Sequence, residues 1–266
     1  MHRILRRAFA AVGAAAAAAI MVGGNIQSAQ ATDQPMTVIS HRCNVDGSSY
    51  VENTALQCIR SVAHGHTFLD GDIRFTSTGV PYILHDSTLA LFNCTQAISS
   101  VSTPTALSCL ADNKQQGQTL FQFMLSVKAA GPNARVSLES KVNPTSTQWA
   151  AVNTALSDAG VSKSQVLWNG FDRATLAEAD GEGFPLIGLA CNCDMNPASE
   201  AAYIDVFVQS GATLDATTAA AYTAAGKDVA TYDFDGSANY QTAEDRGVDY
   251  LYANTPDAAQ TWVDSH

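Results

Sequence analysis

Short runs rich in β-branched residues alternate along this chain with longer, Ala-rich stretches of helical spacing, and the alternation repeats about eight times. Residues 37–40, 67–75, 135–142, 165–168, 185–189, 204–208, 228–232 and 250–252 read as strands. Helices are predicted over 53–62, 119–129, 146–158, 172–180, 215–225, 237–246 and 255–263. A helix between two strands returns the second parallel to the first. Repeated eight times over about 235 residues, that pattern fits a closed (β/α)8 TIM barrel forming a single α/β domain. A doubly wound open sheet is the competing arrangement, but no Gly-rich dinucleotide turn follows any of these strands.

The barrel is expected to begin after residue 31. His2, Arg3, Arg6 and Arg7 form a basic segment, residues 8–23 an apolar Ala-rich run, and Ala29-Gln30-Ala31 a small-x-small cleavage pattern. Residues 1–31 therefore read as a signal peptide cut before Thr32, and the mature protein, 32–266, as secreted to the extracellular side. A membrane anchor is the weaker reading, because a span needs about 20 apolar residues. Arg6-Arg7 also hints at twin-arginine export. Without Arg3, Arg6 and Arg7 the net charge goes from −11 to −14. So acidic a chain is a poor candidate for nucleic acid or for lying flat on an anionic membrane; a small-molecule substrate, no stable membrane insertion and a monomer are expected.

All six cysteines lie beyond the cleavage point, and an even count in an exported chain favours disulfides. Six cysteines allow 15 pairings. Cys94 with Cys109 is favoured because the two flank a Ser/Thr-rich loop, leaving Cys43 with Cys58 and Cys191 with Cys193 as local pairs. A zinc site at Cys191 and Cys193 is the alternative, although no second Cys/His pair accompanies it at metal spacing.

The chemistry concentrates in LDGDIRFTSTGVPYILHD, residues 69–86. Asp70 and Asp72 are two apart in a predicted strand, so both carboxylates share a face and need a cation or a shared proton between them. Ser77-Thr78-Gly79 turns the chain into an apolar arm, 80–84, that ends at His85-Asp86. His41 and Arg42 close the first strand, and Glu139 and Lys141 share a face of the third. Barrel enzymes gather their catalytic groups at the carboxyl ends of strands, so these positions converge on one mouth. The plainer alternatives are hydrogen-bonded core histidines and a structural Glu139–Lys141 ion pair. Glu52-Asn53-Thr54 opens a helix, with Asn53 or the preceding residues capping it, or Glu52 or Asn53 lying beside a phosphate. His64 and His66 read as loop or helix-end residues. The irregular segment 87–118 is either a lid or a clipped insertion.

These residues resemble the glycerophosphodiester phosphodiesterases. The likeness rests on HR at 41–42, ENT at 52–54, DGD at 70–72, TGVPYILHD at 78–86, LESK at 138–141, NGFD at 169–172 and VDYLYANTPD from 248. The resemblance implies a TIM barrel and a phosphoric diester hydrolase that releases glycerol 3-phosphate and a free alcohol. It further implies that His41 and His85 form the general acid/base pair, and that Asp70, Asp72 and Glu139 hold a divalent cation, Ca²⁺ or Mg²⁺. Arg42 and Lys141 would bind phosphate, with Glu52 supporting the substrate. Three positions depart from the family pattern: Asp70 stands where Glu is usual, Cys43 where Gly follows HR, and Ala230, with Tyr232 nearby, where an aromatic is usual. A phospholipase D-like enzyme acting on lysophospholipid or sphingomyelin would use the same core; the polar character of 87–118 favours the soluble diester. A non-catalytic binding protein on the same scaffold is the rival from another class.

Overall fold

The computed structural model describes residues 35–112, 114–193 and 195–266; the predicted signal segment lies outside the described residues. Eight parallel strands close into a ring: β1 (Thr37–Ser40), β2 (Phe68–Phe75), β5 (Arg135–Ser140), β6 (Val166–Gly170), β7 (Ile187–Cys191), β8 (Val206–Ser210), β9 (Asp228–Tyr232) and β10 (Tyr250–Ala253). Closure comes from β1 pairing with β10 on one side and with β2 on the other. Two further strands, β3 (Pro81–Ile83) and β4 (Gln118–Thr119), form an antiparallel arm on the outer part of β2.

Local sequence sets the helix starts. Thr54 caps α1 (Ala55–Ala63), Thr119 and Gln122 form a capping box on α3 (Leu120–Ala130), and Thr145 and Gln148 form one on α4 (Ser146–Asp158). Asp172 and Asp215 cap α5 (Arg173–Gly181) and α6 (Ala216–Ala224). Each such cap satisfies otherwise orphaned amides and contributes about 1 kcal/mol. The last two helices are α7 (Ser237–Asp245) and α8 (Pro256–Val263). The first cap is Thr54, not Asn53, which leaves the Asn53 side chain for another use. No helix joins β7 to β8 among the described residues, where none is predicted either, and Cys191–Cys193 ties the first residues of that connection.

Strand parity divides the core. Leu69, Ile73, Val136, Leu138, Trp168 and Phe207 point outward beneath the helices, where Trp149, Trp168 and Phe184 pack ring against ring. Ile39, Phe68, Leu167, Ala190, Val208, Ala230 and Tyr252 fill the barrel interior. Phe68, Asp70 and Asp72 alternate with Leu69 and Ile73, so the two carboxylates point inward above an apolar floor.

All three local disulfides form: Cys43–Cys58, Cys94–Cys109 and Cys191–Cys193. With both sulfurs bonded to each other, Cys191 and Cys193 offer no thiolate, and the zinc reading falls. Segment 87–118 is the clipped insertion: it contains the short α2 (Thr103–Ser108) and buries Leu89, Phe92, Ile98 and Ala106 against Tyr82 and Leu84. No helix of the described residues is long and apolar enough to cross a membrane.

Candidate active site

The mouth of the barrel holds a cavity of about 160 Å³ lined by His41, Arg42, Asp70, His85, Glu139 and Lys141, with Asn169, Phe171, Asn192, Tyr232, Asp233 and Tyr252. The loop after β1 presents the first two groups in an unusual backbone shape. Arg42 and Cys43 have φ of 52° and 61°, and Asn53 has 59°. Left-handed backbone disfavours residues with a Cβ by about 1–2 kcal/mol. A glycine would accept Cys43's conformation freely; here the bond to Cys58 of α1 holds Cys43 in it.

Ion pairing knits the carboxylates together. Arg42 Nη1 donates to Glu52 at 3.0 Å, and its Nε lies 3.6 Å from Asp72. Lys141 Nζ lies 3.1 Å from one Asp72 oxygen and also contacts Glu139. Asn53 Nδ2 donates to the other Asp72 oxygen at 2.9 Å, and the Arg42 amide donates to Asp70 at 3.1 Å. In the ENT segment Thr54, not Asn53 or a residue before it, does the capping, while Glu52 pairs with Arg42 and Asn53 braces Asp72. Arg42 and Lys141, expected on phosphate, are each partly committed to carboxylates. Lys141 retains one of its three N–H donors and Arg42 its Nη2 beyond those contacts.

Titration follows from this geometry. Burial, and then repulsion from Asp72, push Asp70 up to about 7 from its ordinary 3.8. Burial acts on Asp72 as well, yet Lys141 and Arg42 outweigh it and hold that carboxyl below its ordinary range. Glu139 is raised by burial and by Asp72 despite Lys141. Fully ionised, the four carboxylates Glu52, Asp70, Asp72 and Glu139 outnumber Arg42 and Lys141, which contact them, and Arg74, which acts on Asp72 and Glu139 from farther away, so the set is left net negative. That deficit and the hard oxygen donors fit a divalent cation. Among the described residues no three of His, Cys, Asp or Glu form a ready ligand set. Lys141 Nζ is seated between Asp72 and Glu139.

The two histidines are oriented by different partners. Asn254 Nδ2 donates to Asp235 at 2.7 Å, which fixes its carboxamide and turns Oδ1 toward His41. His41 Nδ1, 2.7 Å from that oxygen, must therefore carry the proton, leaving Nε2 available. His85 Nδ1 lies 2.9 Å from Asp86, with the same consequence for its Nε2. Arg74 holds the His85 carbonyl at 2.8 Å.

Sequence reasoning overlooked Asn254, Asp235, Asn169, Asn192 and Phe171. Asn254 and Asn169 lie within quoted motifs but had no titratable chemistry to draw attention. Tyr232 lines the cavity and contacts Asn192, whereas Ala230 is buried in the barrel interior. None of the described residues of segment 87–118 lines this cavity, so the segment's polarity does not bear on the substrate. His64 ends α1 and His66 lies in the loop before β2, as read from the sequence, and both meet Asp257, at 3.0 and 2.8 Å, tying that segment to α8.

A pair of oriented imidazoles beside carboxylates and fixed cations, at the carboxyl end of a TIM barrel, is equipped to split a phosphate ester with acid and base on hand. The chain belongs to the glycerophosphoryl diester phosphodiesterase family, whose model matches residues 41–258, and it is a phosphoric diester hydrolase of that family. No curated protein sequence matches the chain. Solved structures share its fold. A glycerophosphodiester phosphodiesterase from Parabacteroides distasonis is 16% identical at a TM-score of 0.77, over 87% of this chain and 98% of that one. One from Agrobacterium tumefaciens is 18% identical at 0.71, over 87% and 100%. An Oleispira antarctica phosphodiesterase, solved with its product sn-glycerol-3-phosphate, is 17% identical at 0.73, over 86% and 97%.

Proposed function

We propose that this protein is a secreted, divalent-cation-dependent enzyme that hydrolyses glycerophosphodiesters to glycerol 3-phosphate and an alcohol. The observation that carries this reading is the pair of histidines, each with Nδ1 engaged and Nε2 left for proton transfer, beside a carboxylate set that is net negative. Asp70, Asp72 and Glu139 would hold the cation, which supplies charge neutralisation to the phosphate and a lowered pKa to a bound hydroxyl. The remaining Lys141 donor and Arg42 Nη2 bind phosphate oxygens. One imidazole Nε2 removes the proton of the attacking hydroxyl, of water or of the substrate's glycerol, as its oxygen bonds to phosphorus. The bond from phosphorus to the alcohol oxygen breaks, and the other imidazole, protonated, delivers its proton to that oxygen; where the glycerol hydroxyl attacks, water then opens the cyclic phosphate to glycerol 3-phosphate. His41, steadied by Asn254 and Asp235, and His85, paired with Asp86, divide these roles. The glycerol 3-phosphate product is consistent with the ligand of the Oleispira antarctica phosphodiesterase.

A second reading has one observation in its favour. Phe171 is 47% exposed and borders the cavity, offering an apolar rim to an acyl chain, as a phospholipase D acting on lysophospholipid would need. The deciding experiment measures glycerol 3-phosphate released from glycerophosphocholine by the mature chain with Ca²⁺, Mg²⁺ or EDTA, beside His41→Ala. Release that needs the cation and is lost in the variant supports the diesterase. No release under any condition, with cleavage of lysophosphatidylcholine instead, moves the assignment to the phospholipase.

A further inference from the structure

We infer that Asn169 supplies a neutral oxygen ligand to the cation assigned above to Asp70, Asp72 and Glu139, an inference that rests on that assignment. Asn169 of β6 is the direct neighbour of Glu139 on β5, and Glu139 of Asp72 on β2. In-register neighbours of a parallel sheet share a face, so the three side chains form one layer across the barrel interior.

The carboxamide is anchored from below. Its Nδ2 lies 3.3 Å from both Ser137 Oγ and Tyr252 Oη, and those two oxygens are 2.9 Å apart. All three residues are buried. Asn169 is only 2% exposed, it lines the cavity beside Asp70 and Glu139, and yet its Oδ1 has no hydrogen-bond partner. Leaving a buried acceptor unsatisfied costs about 1–3 kcal/mol, which makes such an atom rare unless a ligand completes it. On its other side stands Gly188, where a Cβ would come within 3.2 Å of Asn169 Cβ; the glycine leaves the carboxamide room.

The chemistry of the layer selects the occupant. An amide carbonyl is a hard oxygen of the kind Ca²⁺ and Mg²⁺ accept. It also adds a ligand without adding charge to a cluster that is already net negative.

The test is substrate-free titration of the mature protein with CaCl₂ and with MgCl₂, read by calorimetry and by the shift in melting temperature. Wild type is compared with Asn169→Ala, Asn169→Asp and Asn169→Leu, each checked for a native circular dichroism spectrum. Losing the ligand should weaken cation binding about tenfold or more in the Ala variant, and in the Leu variant, which preserves volume if Ala does not fold. Asn169→Asp, which keeps the oxygen, should bind at least as tightly as wild type. Wild-type affinity in the Ala and Leu variants, with a raised KM for glycerophosphocholine, would overturn the inference and put Asn169 on the substrate. Equal loss in Ala and Asp would show that the amide N–H is what matters, and would overturn it too. If wild type bound neither ion, the cation assignment itself would fall along with it.

Discussion

Replacing Asp70 by Asn should stabilise the cation-free protein above neutral pH while destroying its response to cations. Asp70 is buried and stands near 7 in the fold against an ordinary 3.8. The folded state therefore holds a proton that the unfolded chain has released, and between about pH 4 and pH 7 stability falls as pH rises. At about 1.4 kcal/mol per pH decade, the full displacement corresponds to about 4 kcal/mol, an upper figure once relaxation around the ion is allowed. For a domain of this size that is a difference in melting temperature on the order of 10 °C. Asp72 and Asp257, both held below the ordinary carboxylate range, act with the opposite sign but below about pH 4, outside this window. The assay is urea unfolding in EDTA from pH 4 to pH 8. Wild type should lose stability across the range, the Asp70→Asn variant should lose markedly less, and the curves should meet near pH 4. Added Ca²⁺ at pH 8 should restore much of the difference to wild type and do little for the variant. Parallel curves for the two proteins across the range would refute the reasoning, because the penalty would then not reside on the Asp70 charge.

Three further outcomes follow from the same geometry. His41→Ala and His85→Ala should each lower kcat by about 10²- to 10⁴-fold with the fold intact, as steady-state release of glycerol 3-phosphate would reveal. Asn254→Ala should lower kcat about tenfold with KM little changed, because it frees the His41 ring from the partner that fixes its Nδ1 proton, and it should add nothing in a His41→Ala background. Removing Cys94–Cys109 by paired Ser substitutions opens a loop with a sequence separation of 15 and should cost about 3 kcal/mol in denaturant unfolding. The kcat/KM of that variant should match wild type, since none of the described residues of segment 87–118 lines the cavity.

Sequence alone determined the architecture and the chemical inventory. Strand and helix periods are local properties, so the eight-fold alternation, the helix starts at Asp172 and Asp215, and the inward parity of Asp70 and Asp72 were readable one segment at a time. Titratable residues also announce themselves: His41, Arg42, His85, Glu139 and Lys141 were legible, and all meet around one cavity. Tertiary structure decided how those groups spend their bonds. Lys141 turns to Asp72 and Glu139, and Arg42 to Glu52, because burial leaves carboxylates in need of counter-charge. It also recruited the neutral amides: Asn53 braces Asp72, Asn254 fixes His41, and Asn169 stands beside Glu139. An asparagine has no charge to mark it in a sequence, and its worth depends on partners separated by as many as 213 positions, as with His41 and Asn254. Only closure of the barrel, which pairs β1 with β10, brings those two residues within hydrogen-bond reach.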